Sequence, residues 1–237
     1  MMKQDAATAP IYEGKPPRRH IRRPRVRDIA GRNFFFAHPV LIRGMALAPA
    51  LVASVDARNS LLLTIALLIL TLPASLFASL ARDRVPKFIR VPIYVLLAAA
   101  AYIPAYFLLS VFPYPVFTNL GVFLPLLTVS SFVYGKAEKE SLTLPVHLAL
   151  LDTLFGVLSF GIFAFILGSF REIFGAGHFL GIPLNITPQP GLLLPVAGFI
   201  IAGFAGAGLQ FVIHRMNRRQ REKENEQEEN ETGGEAL

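Results

Sequence analysis

The chain has 237 residues and a formal net charge of +7, with 53% apolar and only 16% charged residues. Soluble domains carry about 25% charge, and here residues 34–213 hold just 15 charged side chains in 180 positions, which excludes an ordinary water-soluble domain. Cysteine is absent, which excludes disulfides, thiolate nucleophiles, cysteine-ligated zinc and all-cysteine iron–sulfur sites held by this chain alone.

Residues 1–33 form a basic arm, densest from Arg18 to Arg27. It abuts an apolar run and lacks interleaved aromatics, so it reads as a topology signal that meets anionic lipid headgroups, not as a nucleic-acid arm. No cleavable signal pattern precedes the first apolar run. Six runs of spanning length follow, at 34–55, 59–80, 91–112, 116–134, 144–168 and 192–214. About 20 residues cross the hydrocarbon layer as a helix. Continuous rather than alternating apolarity argues against a β-barrel. The expected fold is an all-α membrane protein of six transmembrane helices, with a membrane domain at 34–213 and a charged cytoplasmic tail at 214–237. That tail begins with Arg215, Arg218, Arg219 and Arg221, turns acidic through Glu222–Glu235, and is expected to be solvated and partly disordered.

Placing the N-terminus in the cytoplasm puts 20 of the 23 Lys and Arg residues inside and leaves only Arg58 and Arg171 in outer loops. The same sign at every loop predicts both termini inside the cell's inner (plasma) membrane. Pro49, Pro73, Pro104, Pro125 and Pro195 fall within spans. Each is either an ordinary kink or a helix break. Pro49 and Pro125 occupy the first span of each half if the chain is cut into repeats 34–112 and 116–213. Such halves, entering from opposite faces, have the arrangement of inverted repeats with broken helices near the midplane. In the last span, Gly198, Ala202 and Gly206 form a small-residue stripe that accepts either a partner subunit or a neighbouring helix.

Two ionisable residues lie deep by position. Arg43 in the first span and Asp152 in the fifth sit at equal expected depth, about 12–14 Å in. They either pair or reach the interface by snorkelling. Arg171 and Glu172 follow the fifth span and read as an interfacial turn closed by Gly175 and Gly177. The loop from 169 to 191 is apolar enough to lie at the interface. His20, His38, His147, His178 and His214 show no metal-ligand spacing, and no catalytic motif is present. Catalytic and metal residues are therefore expected to be none, and Arg43, Asp152 and Glu172 are the candidate intramembrane ionic or ion-path residues.

Four stretches carry a resemblance. They are His38-Pro39-Val40-Leu41-Ile42-Arg43-Gly44-Met45-Ala46-Leu47-Ala48-Pro49-Ala50-Leu51; Ile89-Arg90-Val91-Pro92-Ile93-Tyr94-Val95; Leu120-Gly121-Val122-Phe123-Leu124-Pro125-Leu126-Leu127 running on to Gly135-Lys136-Ala137-Glu138; and Leu151-Asp152 followed by Gly168-Ser169-Phe170-Arg171-Glu172-Ile173-Phe174-Gly175-Ala176-Gly177. In order and spacing the chain resembles the Rnf/Nqr integral-membrane subunit family, nearest its Rnf E-type and Nqr D-type members. The resemblance implies two inverted three-helix repeats and a related six-helix partner of opposite orientation. It also implies membership of a ferredoxin- or NADH-linked, ion-translocating oxidoreductase complex, with this chain as a non-catalytic subunit. In that family each of the two related subunits gives two cysteines to an iron–sulfur cluster. Here the two ligand positions are Ala48 and Ser131. Alanine has no donor atom and serine oxygen is a hard substitute for thiolate. The cluster is therefore expected to be lost and no cofactor bound by this chain alone. The alternative is a divergent non-redox paralogue acting as a small-solute or ion transporter or membrane anchor.

Overall fold

The computed structural model describes residues 26–81, 84–112 and 120–234; the basic run before Val26 lies outside the described residues. Helix α1 (Val26–Gly31) runs into a π-helical turn, Arg32–Phe36. The short helix α2 (Leu47–Val52) is followed by the long α3 (Ala57–Ala81) and α4 (Lys87–Ser110). Next come α5 (Phe123–Leu126) with a 3-10 turn at Leu127–Val129, then α6 (Ser131–Lys136) with a π-helical turn at Ala137–Ser141. Helix α7 (Val146–Arg171) extends into a π turn at Glu172–Ala176. A hairpin of β1 (His178–Phe179) and β2 (Ile182–Pro183) and a 3-10 turn (Pro190–Leu193) lead to α8 (Pro195–Gly234).

Among the described residues, four helical stretches are long and apolar enough to cross a membrane: Ala57–Ala81, Lys87–Ser110, Val146–Ala176 and Pro195–Met216. The first and fourth expected spans are not continuous helices. In the first, Gly44 at φ +64° and Ala46 at φ +52° turn the chain through left-handed conformations just before α2. In the second, Gly121 takes φ +45° and Ser130 is extended between α5 and α6. Left-handed and extended residues cannot continue a right-handed helix. Pro49 and Pro125 are each the third residue of a four- to six-residue helix. There the missing N–H would have had no helical acceptor, so proline costs nothing. Pro73 and Pro104 lie instead inside long unbroken helices, and Pro195 opens α8.

Helix α3 is the axis of the bundle, packed against both α4 and α7. Its N-terminus is capped by Asp56, whose Oδ1 accepts the Asn59 backbone N–H at 2.7 Å. Helices α3 and α7 approach closely at Gly168, where a Cβ would fall 2.6 Å from the Asp56 carbonyl oxygen. The core between them is formed by Leu63, Leu67, Leu70, Phe160 and Ala164, closed by Tyr94 of α4 and Phe132 of α6. The small-residue stripe of α8 resolves toward the chain itself. A Cβ at Gly198 would meet the Leu51 carbonyl at 3.1 Å and one at Gly206 the Leu41 carbonyl at 3.4 Å. The expectation of a partly disordered tail is corrected: α8 runs on to Gly234. Its polar part is rich in Glu, Gln, Arg and Lys, all good helix formers.

Candidate functional site

Three arrangements draw on the residues singled out by the sequence. The first surrounds Asp152. The start of α7 follows Pro145, whose ψ of 155° is extended, and it carries Asp152 inward with no exposed surface. Lys136 ends α6, and Glu140 lies one turn on in the π segment, so both face the same way. The Lys136 ammonium is fully buried and reaches Asp152 Oδ2 at 3.0 Å; it also pairs with Glu140. Asn33 Oδ1 accepts from it at 2.5 Å. On its other oxygen, Asp152 accepts from Arg32 at 2.7 Å and from Asn33 Nδ2 at 2.8 Å. Ser159 donates to the Asn33 carbonyl at 2.9 Å, fixing that turn against α7.

Arg43 does not pair directly with Asp152. It takes Glu140, so the two residues of equal expected depth meet through a shared network. Asp152 and Glu140 each have at least two cationic neighbours within 4 Å. Such compensation matters, because a buried charge that loses its partner costs about 3–5 kcal/mol.

The second arrangement is the recess between the two broken segments. It has a volume of about 270 Å³, and Ala46, Ala48 and Pro49 face Val129, Ser130 and Ser131 across it. The structure thus brings Ala48 and Ser131, the two positions singled out by the resemblance, to one place. Ser131 Oγ accepts the Ala46 backbone N–H at 3.0 Å, so the hydroxyl ties α6 to the left-handed turn that starts α2. Alanine supplies no donor, the Ser131 hydroxyl is engaged, the neighbouring Ser130 offers only a hard hydroxyl oxygen, and the chain has no cysteine. This donor set does not fit a thiolate-ligated iron–sulfur cluster.

The third arrangement lies at the far end of α7, about 30 Å from Asp152 at helical rise over about 20 residues. Arg171 and Glu172, expected in an interfacial turn, are buried inside the protein at 0% and 3% exposure. The Arg171 guanidinium donates to the carbonyls of Leu51 at 2.7 Å and Ser54 at 2.9 Å, at the end of α2. It also donates to Leu192 at 3.0 Å and Leu193 at 2.5 Å in the turn before α8. Glu172 accepts the first N–H of α3, from Ala57, at 3.0 Å and the Leu180 N–H of the hairpin at 2.7 Å. Helix ends leave such groups without helical partners, and this pair satisfies them. Glu172 is therefore separated from Arg43 and Asp152.

Sequence reasoning missed Arg32, Asn33, Lys136 and Glu140 as members of a buried site. Arg32 and Lys136 count in the sequence as topology charges, and Asn33 and Glu140 carry no mark there. The signal that could have found two of them is the i, i+4 spacing of Lys136 and Glu140. A further tie joins the second and third resembling stretches: Tyr94 donates to Glu138 at 3.1 Å, beside Arg90 at 3.7 Å.

Comparison with known proteins gives a consistent picture. Residues 26–212 match the Rnf-Nqr family, described as "Rnf-Nqr subunit, membrane protein". The chain is 29% identical over 212 residues to the E-type subunit of the ion-translocating oxidoreductase complex from Shewanella sp. (strain ANA-3), covering 83% of this chain and 91% of that one. It is 30% identical over 210 residues to the protein of the same name from Shewanella baltica (strain OS185), covering 82% and 90%.

Proposed function

Because the chain belongs to the Rnf-Nqr family of membrane-protein subunits, we propose that it serves as an integral-membrane subunit of an ion-translocating electron-transport complex without itself binding the iron–sulfur cluster. The relatives' names supply the complex. The observation that carries the second half is the recess where Ala48 and Ser131 converge, with Ser131 Oγ already committed to the Ala46 N–H. A pocket that has replaced thiolate by a methyl group and a hydrogen-bonded hydroxyl serves as packing and not as a metal seat.

The proposal extends to architecture. The two broken segments, each with a proline third in its short helix, support two inverted repeats of three spans. The charge asymmetry supports both termini in the cytoplasm and residence in the inner membrane. The partner is a related six-helix subunit of opposite orientation, with other complex subunits and membrane lipid around it. Arg43 and Asp152 are ionic residues of one buried network, and Glu172 belongs to the opposite end of α7.

The absent thiolates also favour a second reading, a non-redox paralogue that works as a small-solute or ion transporter or an anchor with other partners. Gentle purification from native membranes tests both. Co-purifying flavin-carrying and ferredoxin-like chains are expected under the first reading. A chain isolated without redox partners would overturn it in favour of the second.

A further inference from the structure

At the Asp152 end an ammonium lies fully buried, and its surroundings have an unusual count. Four oxygens lie around Lys136 Nζ: Asn33 Oδ1 at 2.5 Å, Asp152 Oδ2 at 3.0 Å, the Asp152 carbonyl at 3.3 Å, and Glu140 Oε2. An ammonium has three hydrogens to give, so four oxygens exceed what hydrogen bonding requires. All four are hard oxygen donors of the kinds that bind hard cations: one amide, one backbone carbonyl and two carboxylates. They come from separate elements, namely the π turn after α1, the π turn after α6, and α7.

An independent feature shows the enclosure shaped around this arm. Gly156, one turn beyond Asp152 on α7, leaves the space the lysine stem fills. A Cβ there would overlap Lys136 Cε and fall 2.7 Å from Nζ. The charge inventory selects the class of ion. Arg32 and Arg43 already balance the two carboxylates, so the Lys136 ammonium leaves the cluster at +1, and a divalent ion in its place would raise the excess to +2.

We propose that the oxygens of Asn33, Glu140 and Asp152 form a monovalent-cation site whose resident occupant is the chain's own Lys136 ammonium. The site is thereby closed to mobile ions in the wild-type protein. The arrangement refines the ionic reading of Asp152 but rests on this geometry alone, not on membership of an electron-transport complex. Any ion moved by the assembly passes without residing between Asp152 and Glu140. Removing the tethered charge exposes the site to small monovalent cations from solution.

Two measurements on the full chain in its native membrane assembly test this. Reductive methylation followed by peptide mass analysis compares Lys136 with Lys139, which is exposed. Methylation of Lys139 with Lys136 left unmodified is expected; equal labelling of the two overturns the proposal. The second uses Lys136→Ala, whose thermal midpoint should fall by at least about 5 °C from loss of a buried charge partner. Methylammonium chloride should restore most of that loss, and tetraethylammonium chloride at equal ionic strength should not. Equal restoration by both salts, or by neither, overturns the proposal. If the variant does not accumulate, the labelling result on the wild-type protein decides alone.

Discussion

The two ends of α7 bury charge by different means. At the Asp152 end, charge answers charge: two carboxylates sit among Lys136, Arg32 and Arg43. At the Arg171 end, charge answers the backbone. One guanidinium gathers carbonyls from α2 and from the turn before α8, and one carboxylate takes N–H groups from α3 and the hairpin. The difference follows from what each end must close. Irregular backbone at membrane depth is tolerated where its polar groups find protein partners. The Arg171 end gathers the ends of several elements, so it needs donors and acceptors more than neutrality. The Asp152 end joins intact turns whose side chains carry the polarity, so it needs counter-charge.

Carboxamide substitution separates the two mechanisms. Asp152→Asn keeps the shape but leaves the Lys136 ammonium and the Arg32 guanidinium facing a neutral group. It should cost about 3–5 kcal/mol, read as a large drop in thermal midpoint of the solubilised chain. Glu172→Gln keeps one acceptor oxygen and turns an NH2 toward an N–H. A loss of about 1–3 kcal/mol is expected, smaller than at Asp152 in the same assay. Equal losses would break the distinction drawn between the ends. Ser131→Ala leaves the Ala46 N–H without its acceptor and should cost about 1 kcal/mol, detectable as faster proteolysis between α1 and α3. Arg43→Gln is the mildest, because Glu140 keeps Lys136 as a partner. A change of no more than about 1 kcal/mol is expected in chemical denaturation.

The long spans were legible because unbroken apolarity over more than about 20 residues fits a membrane helix and little else. The broken segments were half legible. Pro49 and Pro125 stood out, yet the left-handed turn at Gly44 and Ala46 and the extended Ser130 have no marker in hydropathy. At the Asp152 end, Arg43 and Asp152 were found by depth, but their partners were not. Lys136 and Glu140 read as loop charges, since a charge count along the chain registers where a residue lies in sequence and not which way its turn folds. Arg171 and Glu172 likewise read as an interfacial turn, because helix-end capping by a distant segment leaves no local pattern. Ala48 and Ser131, singled out by the resemblance, line one recess, although nothing in their spacing predicts the hydrogen bond that engages the Ser131 hydroxyl.

If the recess between the broken segments packs protein and grips no metal, the Ser131 hydroxyl is dispensable to every iron centre in the assembly. Electron paramagnetic resonance of the reduced, intact assembly, compared between wild type and Ser131→Ala, tests this most directly. Superimposable iron–sulfur signals and equal iron content in the two preparations are expected. Loss of one paramagnetic signal together with iron in the Ser131→Ala assembly would contradict it.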